Sequence, residues 1–97
     1  MPSYLSLINW TDQGIRTVKD APQRVDNFKK AVEAAGGRLI FFYTLMGEHD
    51  IAILIEVPDD ATATRLLLET ARLGNIRTKT FKAFTEQETR DLISGLS

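Results

Sequence analysis

Cysteine is absent from all 97 residues of this chain. Without thiols, the protein has no disulfide bonds, thiolate metal sites, iron–sulfur clusters or cysteine nucleophiles. Histidine occurs once, at His49, which also excludes a zinc site built on a pair of histidines. The sequence has neither a run of roughly 18 apolar residues nor a charged N-terminal region followed by an apolar one, the marks of membrane spans and signal peptides. We therefore expect a cytoplasmic protein that does not associate with membranes.

An excess of charge of either sign is also missing. The chain carries 12 basic and 13 acidic side chains, for a net charge of −1. Nucleic-acid-binding proteins usually show a basic stripe, so we expect no nucleic-acid partner. A chain of this length forms one small domain, here 1–97, which buries only roughly 60–70% of the surface that its unfolded form exposes. The isolated monomer is therefore expected to be marginally stable.

The apolar pattern predicts two halves of similar design, each a strand, a helix and a second strand. Asp20 and Gln23 are expected to cap the first helix, and Thr85 and Glu88 form a predicted capping box for the last. The predicted elements in chain order are a strand at 4–10, a turn at 11–14, a connector at 15–19, a helix from 20–23 to 36–37, strands at 38–46 and 50–57, a helix from 58–60 to 74–75, an edge strand at 76–84 and a short helix from 85 through 96.

This order of elements predicts an α+β, ferredoxin-like βαββαβ fold with an additional C-terminal helix. Right-handed crossovers place both main helices on one face of a four-stranded antiparallel sheet. Along the third strand, alternate side chains form a helix-facing row of Ile51, Ile53, Ile55 and Val57. The opposite face of the sheet is left bare.

The bare face is rich in apolar side chains, because both rows of the second strand are apolar over 40–43. Such a surface is unusual on a soluble monomer. Two sheets packed face to face would bury it, so we expect a homo-oligomer, either a dimer or a larger assembly, of the dimeric α/β-barrel type. The alternative is that the C-terminal helix folds over the same face within one chain.

His49 is the main candidate for chemistry, since it is the only side chain with an ordinary pKa near neutrality. Its neighbour Asp50 would form a dyad with it only if a bulge at 47–48 turned the two side chains to one face. His49 is therefore either a general base in a pocket or a surface residue at a strand start. Asp50 is either a pocket carboxylate or an acceptor of backbone N–H groups that holds the turn.

A polar cluster with the only tryptophan stands at the end of the first strand, at 9–14. Trp10 either stacks on a planar ligand or covers a core or interface. Loops at strand ends are common ligand sites. The candidate ligand-binding residues are Asn9, Trp10, Thr11, Tyr43, His49 and Asp50.

Other charged and aromatic residues have simpler interpretations. The carboxylates at 48, 50 and 56 do not have a spacing diagnostic of a metal site, so neither metal nor cofactor is expected. Arg77, Lys79 and Lys82 are expected to protect the sheet edge, with anion binding as the alternative. Phe81 and Phe84 are expected in the core.

Three segments resemble the GYD domain family over nearly the whole chain: YLSLINWTDQG at 4–14, GEHDI at 47–51 and LGNIRT at 73–78. The family signature is Gly-Tyr-Asp, sometimes with an inserted residue, and here His49 stands in place of the tyrosine. The resemblance implies a ferredoxin-like fold of the dimeric α/β-barrel type. It implies no substrate.

Two functions remain open from sequence. The first is an oligomeric, non-catalytic module that binds a small molecule or helps another protein do so. The second is a cofactor-independent enzyme similar to the dimeric-barrel monooxygenases and isomerases, with His49 as general base and Asn9 and Trp10 as positioning residues. The sequence lacks a serine nucleophile elbow and a phosphate-binding glycine loop, which favours the binding module.

Overall fold

A computed structural model describes all 97 residues and contains the predicted four-stranded antiparallel sheet, in the order β2-β3-β1-β4. The fold is α+β and ferredoxin-like, as predicted. The elements are β1 (Ser3–Trp10), α1 (Asp12–Arg16), a 3₁₀ turn (Val18–Asp20), α2 (Ala21–Ala34), β2 (Arg38–Thr44), β3 (Ile51–Glu56), α3 (Asp60–Ala71), β4 (Ile76–Ala83) and α4 (Glu86–Ser94).

The hydrophobic core lies between the sheet and the pair α2 and α3. The predicted row of β3 is buried, which confirms its orientation toward the helices. Alternate residues of β1 and one small or branched residue from each helix complete this layer. Its buried apolar members are Tyr4, Ile8, Val32, Ile51, Ile53, Ile55, Val57 and Ala63.

Two of the predicted helix caps differ in outcome. The Thr85 side chain accepts the N–H of Glu88 at 3.1 Å, and the Glu88 carboxylate accepts the N–H of Thr85 at 2.8 Å, so the capping box is confirmed. Asp20 does occupy the N-cap position of α2, as predicted, but its side chain makes no capping hydrogen bond, so the predicted capping role is wrong. Asp20 belongs to the 3₁₀ turn and has helical φ and ψ of −86° and −5°, whereas a capping residue is normally extended.

Two predicted boundaries need correction. The segment at 11–14 is the start of α1 rather than a turn, since the Thr11 side chain accepts the N–H of Gly14 at 3.0 Å and begins a short helix. The second strand ends at Thr44, two residues early, and has an irregular register at 39–41. Beyond it, Gly47 adopts a φ of 121°, a conformation that favours glycine, and the chain turns back into β3.

The sheet face opposite α2 and α3 is uncovered in the chain, as predicted. Its register aligns Phe41, Leu54, Leu5 and Phe81 in one row across all four strands. Phe81 is 52% exposed on this face and Phe84 is 57% exposed beyond it, so their predicted place in the core is wrong. We call this surface, formed by Leu5, Leu7, Phe41, Tyr43, Ala52, Leu54 and Phe81, the open face.

The C-terminal helix does not cover the open face. Every residue at 89–97 is exposed, including Leu92, Ile93 and Leu96. The accessible surface is 6661 Å², against about 5,600 Å² for an ordinary monomer of this mass. The radius of gyration is 14.6 Å, against about 12.5 Å for a compact chain of this length. The chain is therefore more extended, and exposes more total surface, than an ordinary monomer of its size.

Candidate functional site

A large cleft opens between the sheet and the helices α2 and α3. Its volume is about 770 Å³, and more than half of its lining residues are hydrophobic. Clefts of this size and character are typical small-molecule sites. The floor comes from β1, β2, β3 and β4, and three aromatic side chains contribute to the lining: Trp10, Phe28 and Phe42. We call this space the helix cleft.

Both α2 and α3 pack more closely against the sheet than against each other, and this leaves the helix cleft open between them. Val32 and Ala63, one on each helix, are buried against the sheet. Toward the Trp10 end of the sheet the lining side chains of the helices are only half-buried, as at Val25 and Phe28. At the Trp10 end of the core, apolar side chains are therefore accessible to solvent and to a small ligand.

A polar network on the other side of the sheet joins the start of β3 to the end of β1. The Asp50 carboxylate accepts the backbone N–H of Trp10 at 3.0 Å, which is the turn-holding geometry. Asn9 donates from its amide nitrogen to the carbonyl of Glu48 at 2.8 Å. Its amide oxygen lies 3.0 Å from His49 Nδ1, which places the imidazole ring in hydrogen-bond contact with Asn9.

A second set of contacts ties the strand end to the loop before β4. Thr11 donates its hydroxyl proton to the carbonyl of Gly74 at 2.6 Å, and its N–H donates to the carbonyl of Asn75 at 3.1 Å. The Gln13 amide nitrogen donates to the Asn75 side-chain oxygen at 2.9 Å. Gly14 is buried directly against the Asn75 backbone. The segments at 9–14 and 73–75 therefore form one interlocked corner.

The structure divides the predicted ligand-binding residues between two sides of the sheet. Trp10 lines the helix cleft. Asn9 and Asp50 occupy the alternate positions, and His49 contacts Asn9, so all three lie on the side of the open face. Tyr43 is 61% exposed on the open face itself. Thr11 lies in the interlocked corner, where its hydroxyl both donates and accepts a hydrogen bond.

Several residues of the cleft were not singled out as candidates from sequence. Phe28 and Phe42 look like ordinary core residues, because only the spacing between α2 and α3 leaves them accessible. Arg24 lies on α2 next to Val25, within a helix whose exposed face is also charged, so its position at the cleft carries no sequence signal. Each of these residues becomes a candidate only through the tertiary arrangement.

A smaller groove of about 340 Å³ lies between α3 and β4, at the edge of the sheet. There the buried Tyr4 hydroxyl donates to the Asp60 carboxylate, which also forms an ion pair with Lys82 at 3.1 Å. Burial, followed by the hydrogen bond to Asp60, raises the pKa of Tyr4 to about 12. These groups anchor the first turn of α3 to the sheet.

Replacing Tyr4 with phenylalanine is expected to lower the melting temperature and weaken its dependence on acid. The hydrogen bond from Tyr4, followed by that from Lys82, holds the pKa of Asp60 below its ordinary value of 3.8. A carboxyl with a lowered pKa stabilises the fold above its unfolded pKa, and this contribution is lost as the pH falls through the folded value. Thermal denaturation from about pH 6 down to pH 2 measures the difference.

The matched control is Tyr43→Phe, which removes a phenol from the exposed open-face position and leaves Asp60 untouched. The control should follow the wild-type pH profile. The Tyr4→Phe profile should be shallower in acid, and a profile parallel to that of the wild type would contradict the coupling between Tyr4 and Asp60.

The structure shows no group of three or more histidine, cysteine, aspartate or glutamate side chains arranged to hold a metal ion. None of its helices has the length and apolar character needed to cross a membrane.

Residues 4–93 match the family described as "GYD domain". A protein of Thermus thermophilus, named "Glutamine synthetase and cystathionine beta-lyase binding protein", is 31% identical over 97 residues, and the alignment covers 99% of both chains.

Two solved structures illustrate the similarity in fold. A feast or famine regulatory protein from M. tuberculosis, in complex with L-methionine, has a TM-score of 0.66 and 20% identity, covering 88% of this chain and 51% of that one. A protein from Thermus thermophilus has a TM-score of 0.55 and 20% identity, covering 88% of this chain and 95% of that one. The chain thus spans about half the length of the regulatory protein, and both likenesses concern the fold.

Proposed function

This chain belongs to the GYD domain family, and we propose that it is an oligomeric domain that binds a small molecule and carries out no catalysis. The observation that carries this proposal is the helix cleft of about 770 Å³, which is apolar, lined by three aromatic residues and open to solvent. Pockets that bind small molecules combine this volume with an apolar lining and a few polar groups.

Self-assembly through the open face is the second part of the proposal. The open face and the apolar side of α4 remain exposed in the single chain. Burial of apolar area stabilises association by roughly 25 cal/mol per Å² before the costs of binding are subtracted. A second copy is the occupant that we propose, because one sheet packed on another buries both faces at once. The helix cleft lies on the opposite side of each sheet and would stay accessible.

A role in binding other proteins is a second candidate, favoured by the name of the 31% identical relative. That relative is named for its binding to glutamine synthetase and cystathionine beta-lyase. In this chain, Phe84, Leu92, Ile93 and Leu96 offer exposed apolar side chains around α4. These residues do not line the helix cleft, so protein binding and small-molecule binding would use different surfaces.

The geometry does not favour His49 as a general base in the cleft. His49 contacts Asn9 on the open-face side, whereas Trp10 lines the helix cleft on the other side of the sheet. A general base must lie within hydrogen-bond reach of the proton that it removes, directly or through one water molecule. This separation of His49 and Asn9 from Trp10 supports a binding module rather than an enzyme that uses all three residues on one substrate.

Occupying the cleft with a larger side chain is expected to reduce binding of a small aromatic, anionic probe. Ala31 lines the helix cleft, and Ala34, on the same helix, does not. We expect Ala31→Phe to weaken binding of 8-anilinonaphthalene-1-sulfonate about tenfold or more, because the new ring takes up space and contacts that the probe would use. Fluorescence titration of the assembled protein gives the affinity and the number of sites per chain.

Ala34→Phe is the matched control and should bind the probe like the wild type, as should His49→Gln. Equal affinity in the Ala31→Phe and Ala34→Phe variants would contradict the proposal that the helix cleft is the binding site. Loss of binding in His49→Gln alone would shift the site to the open-face side of the sheet.

A further inference from the structure

The helix cleft contains one half-buried charged side chain, Arg24 of α2. Its guanidinium donates from Nη1 to the Thr17 hydroxyl at 2.9 Å and from Nη2 to the Gly14 carbonyl at 3.2 Å. Both acceptors are neutral oxygens. These bonds hold the guanidinium against α1 at the border of the cleft, in one preferred position.

No carboxylate of the chain neutralises Arg24. The ion pairs of the structure join Arg38 to Glu56, Arg72 to Glu69, Lys82 to Asp60 and Arg90 to Glu86. Two carboxylates also line the cleft, and both are exposed to solvent, whereas Arg24 is half-buried. Glu69 is exposed and lies 3.4 Å from Arg72, and Asp26 is exposed on α2.

An unpaired, positively charged guanidinium beside an apolar cleft favours an occupant that carries a negative charge. Arginine has five N–H donors in a planar fork that matches the two oxygens of a carboxylate. Arg24 uses donors on its two terminal nitrogens for Thr17 and Gly14, which leaves further N–H groups for a ligand. The partial removal of Arg24 from water strengthens its attraction for an anion compared with a fully exposed arginine.

We infer that the ligand of the helix cleft is a small monoanion, an organic carboxylate with an apolar body. The carboxylate pairs with Arg24, and the apolar body packs against Trp10, Phe28 and Phe42. This inference rests on the proposed function, because it names the class of ligand for the same cleft. The aromatic lining favours a body that contains a ring, since ring pairs gain energy beyond the area that they bury.

Three probes of equal size separate charge preference from apolar binding: 3-phenylpropanoate, 3-phenylpropan-1-ol and 3-phenylpropylamine. Trp10 is the only tryptophan and lines the cleft, so its fluorescence reports binding at this place. We expect the carboxylate to bind the assembled wild-type protein at least tenfold more tightly than the alcohol, with the amine weakest.

Arg24→Gln should lower the affinity for 3-phenylpropanoate about tenfold and leave that for the alcohol within twofold. The alcohol serves as the folding control, because it uses the same cleft without the charge. Arg24→Lys should retain part of the preference, since it keeps the charge but loses the planar fork. Lys29→Gln removes one positive charge from the same helix at an exposed position outside the cleft and should leave all three affinities unchanged.

Equal binding of the three probes would overturn the assignment of an anionic ligand, as would a carboxylate preference that persists in Arg24→Gln. Because the probes would still bind, the proposed function would stand in both cases. If no probe changes the fluorescence of Trp10 up to its solubility limit, both the ligand class and the proposed function of the cleft fail together.

Discussion

Replacing Leu54 with arginine is expected to dissociate the assembled protein into monomers. Leu54 lies at the centre of the open face, opposite Leu5 on one side and Phe41 on the other. A guanidinium placed here would be buried without a partner if the two sheets pack face to face. An unpaired buried charge costs about 4 kcal/mol, which raises the dissociation constant of the assembly about a thousandfold. Sedimentation velocity at micromolar concentration measures the change.

The fold of the Leu54→Arg monomer should survive, because Leu54 points away from the buried row of β3. Ile15→Arg is the matched control, since Ile15 is an exposed apolar residue on α1, away from the open face. The control should sediment like the wild type. A Leu54→Arg variant that keeps the wild-type mass would show that the open face is not the assembly surface.

Replacing Gly14 with alanine is expected to cause a severe loss of stability for the addition of a single methyl group. A Cβ at this position would lie 1.9 Å from the carbonyl oxygen of Asn75 and 2.8 Å from its carbonyl carbon. Both are backbone atoms, so the interlocked corner would have to separate. We expect a loss of about 3 kcal/mol or more in the free energy of unfolding, or roughly 12 to 24 °C in melting temperature.

Gly95→Ala is the control for the Gly14 substitution. Gly95 follows α4 with an ordinary negative φ of −85°, and the nearest atom to an added Cβ is the Leu92 carbonyl oxygen at 3.5 Å. Its melting temperature should stay close to that of the wild type. An unchanged melting temperature in Gly14→Ala would mean that the segments at 9–14 and 73–75 do not pack as described.

Local patterns predicted the elements of this fold because the forces behind them are local. Alternation along β3 identified the buried row, and the Thr85–Glu88 capping box marked the start of α4. The cap at Asp20 failed for the converse reason, since the preceding 3₁₀ turn sets its backbone angles. The apolar side of α4 predicts that this helix packs against another apolar surface. The pattern along one helix does not tell whether that surface belongs to the same chain or to another one.

The candidate site was harder to predict because neighbours in sequence are separated in space. Asn9 and Trp10 are adjacent, yet alternate orientation along β1 sends them to opposite sides of the sheet. Residues distant in sequence come together instead, as Arg24 and Trp10 do at the helix cleft. Their proximity depends on the distance between α2 and α3, and no local sequence pattern predicts that distance.

Native mass spectrometry of the purified protein tests self-assembly and occupation of the helix cleft in one experiment. We expect a dimer or larger species of this 10.9 kDa chain. The assembly should carry a reproducible extra mass, one small molecule for each occupied cleft, and Ala31→Phe should lose that mass while remaining assembled. A protein that is monomeric at micromolar concentration, or an extra mass that is retained in Ala31→Phe, would contradict the account.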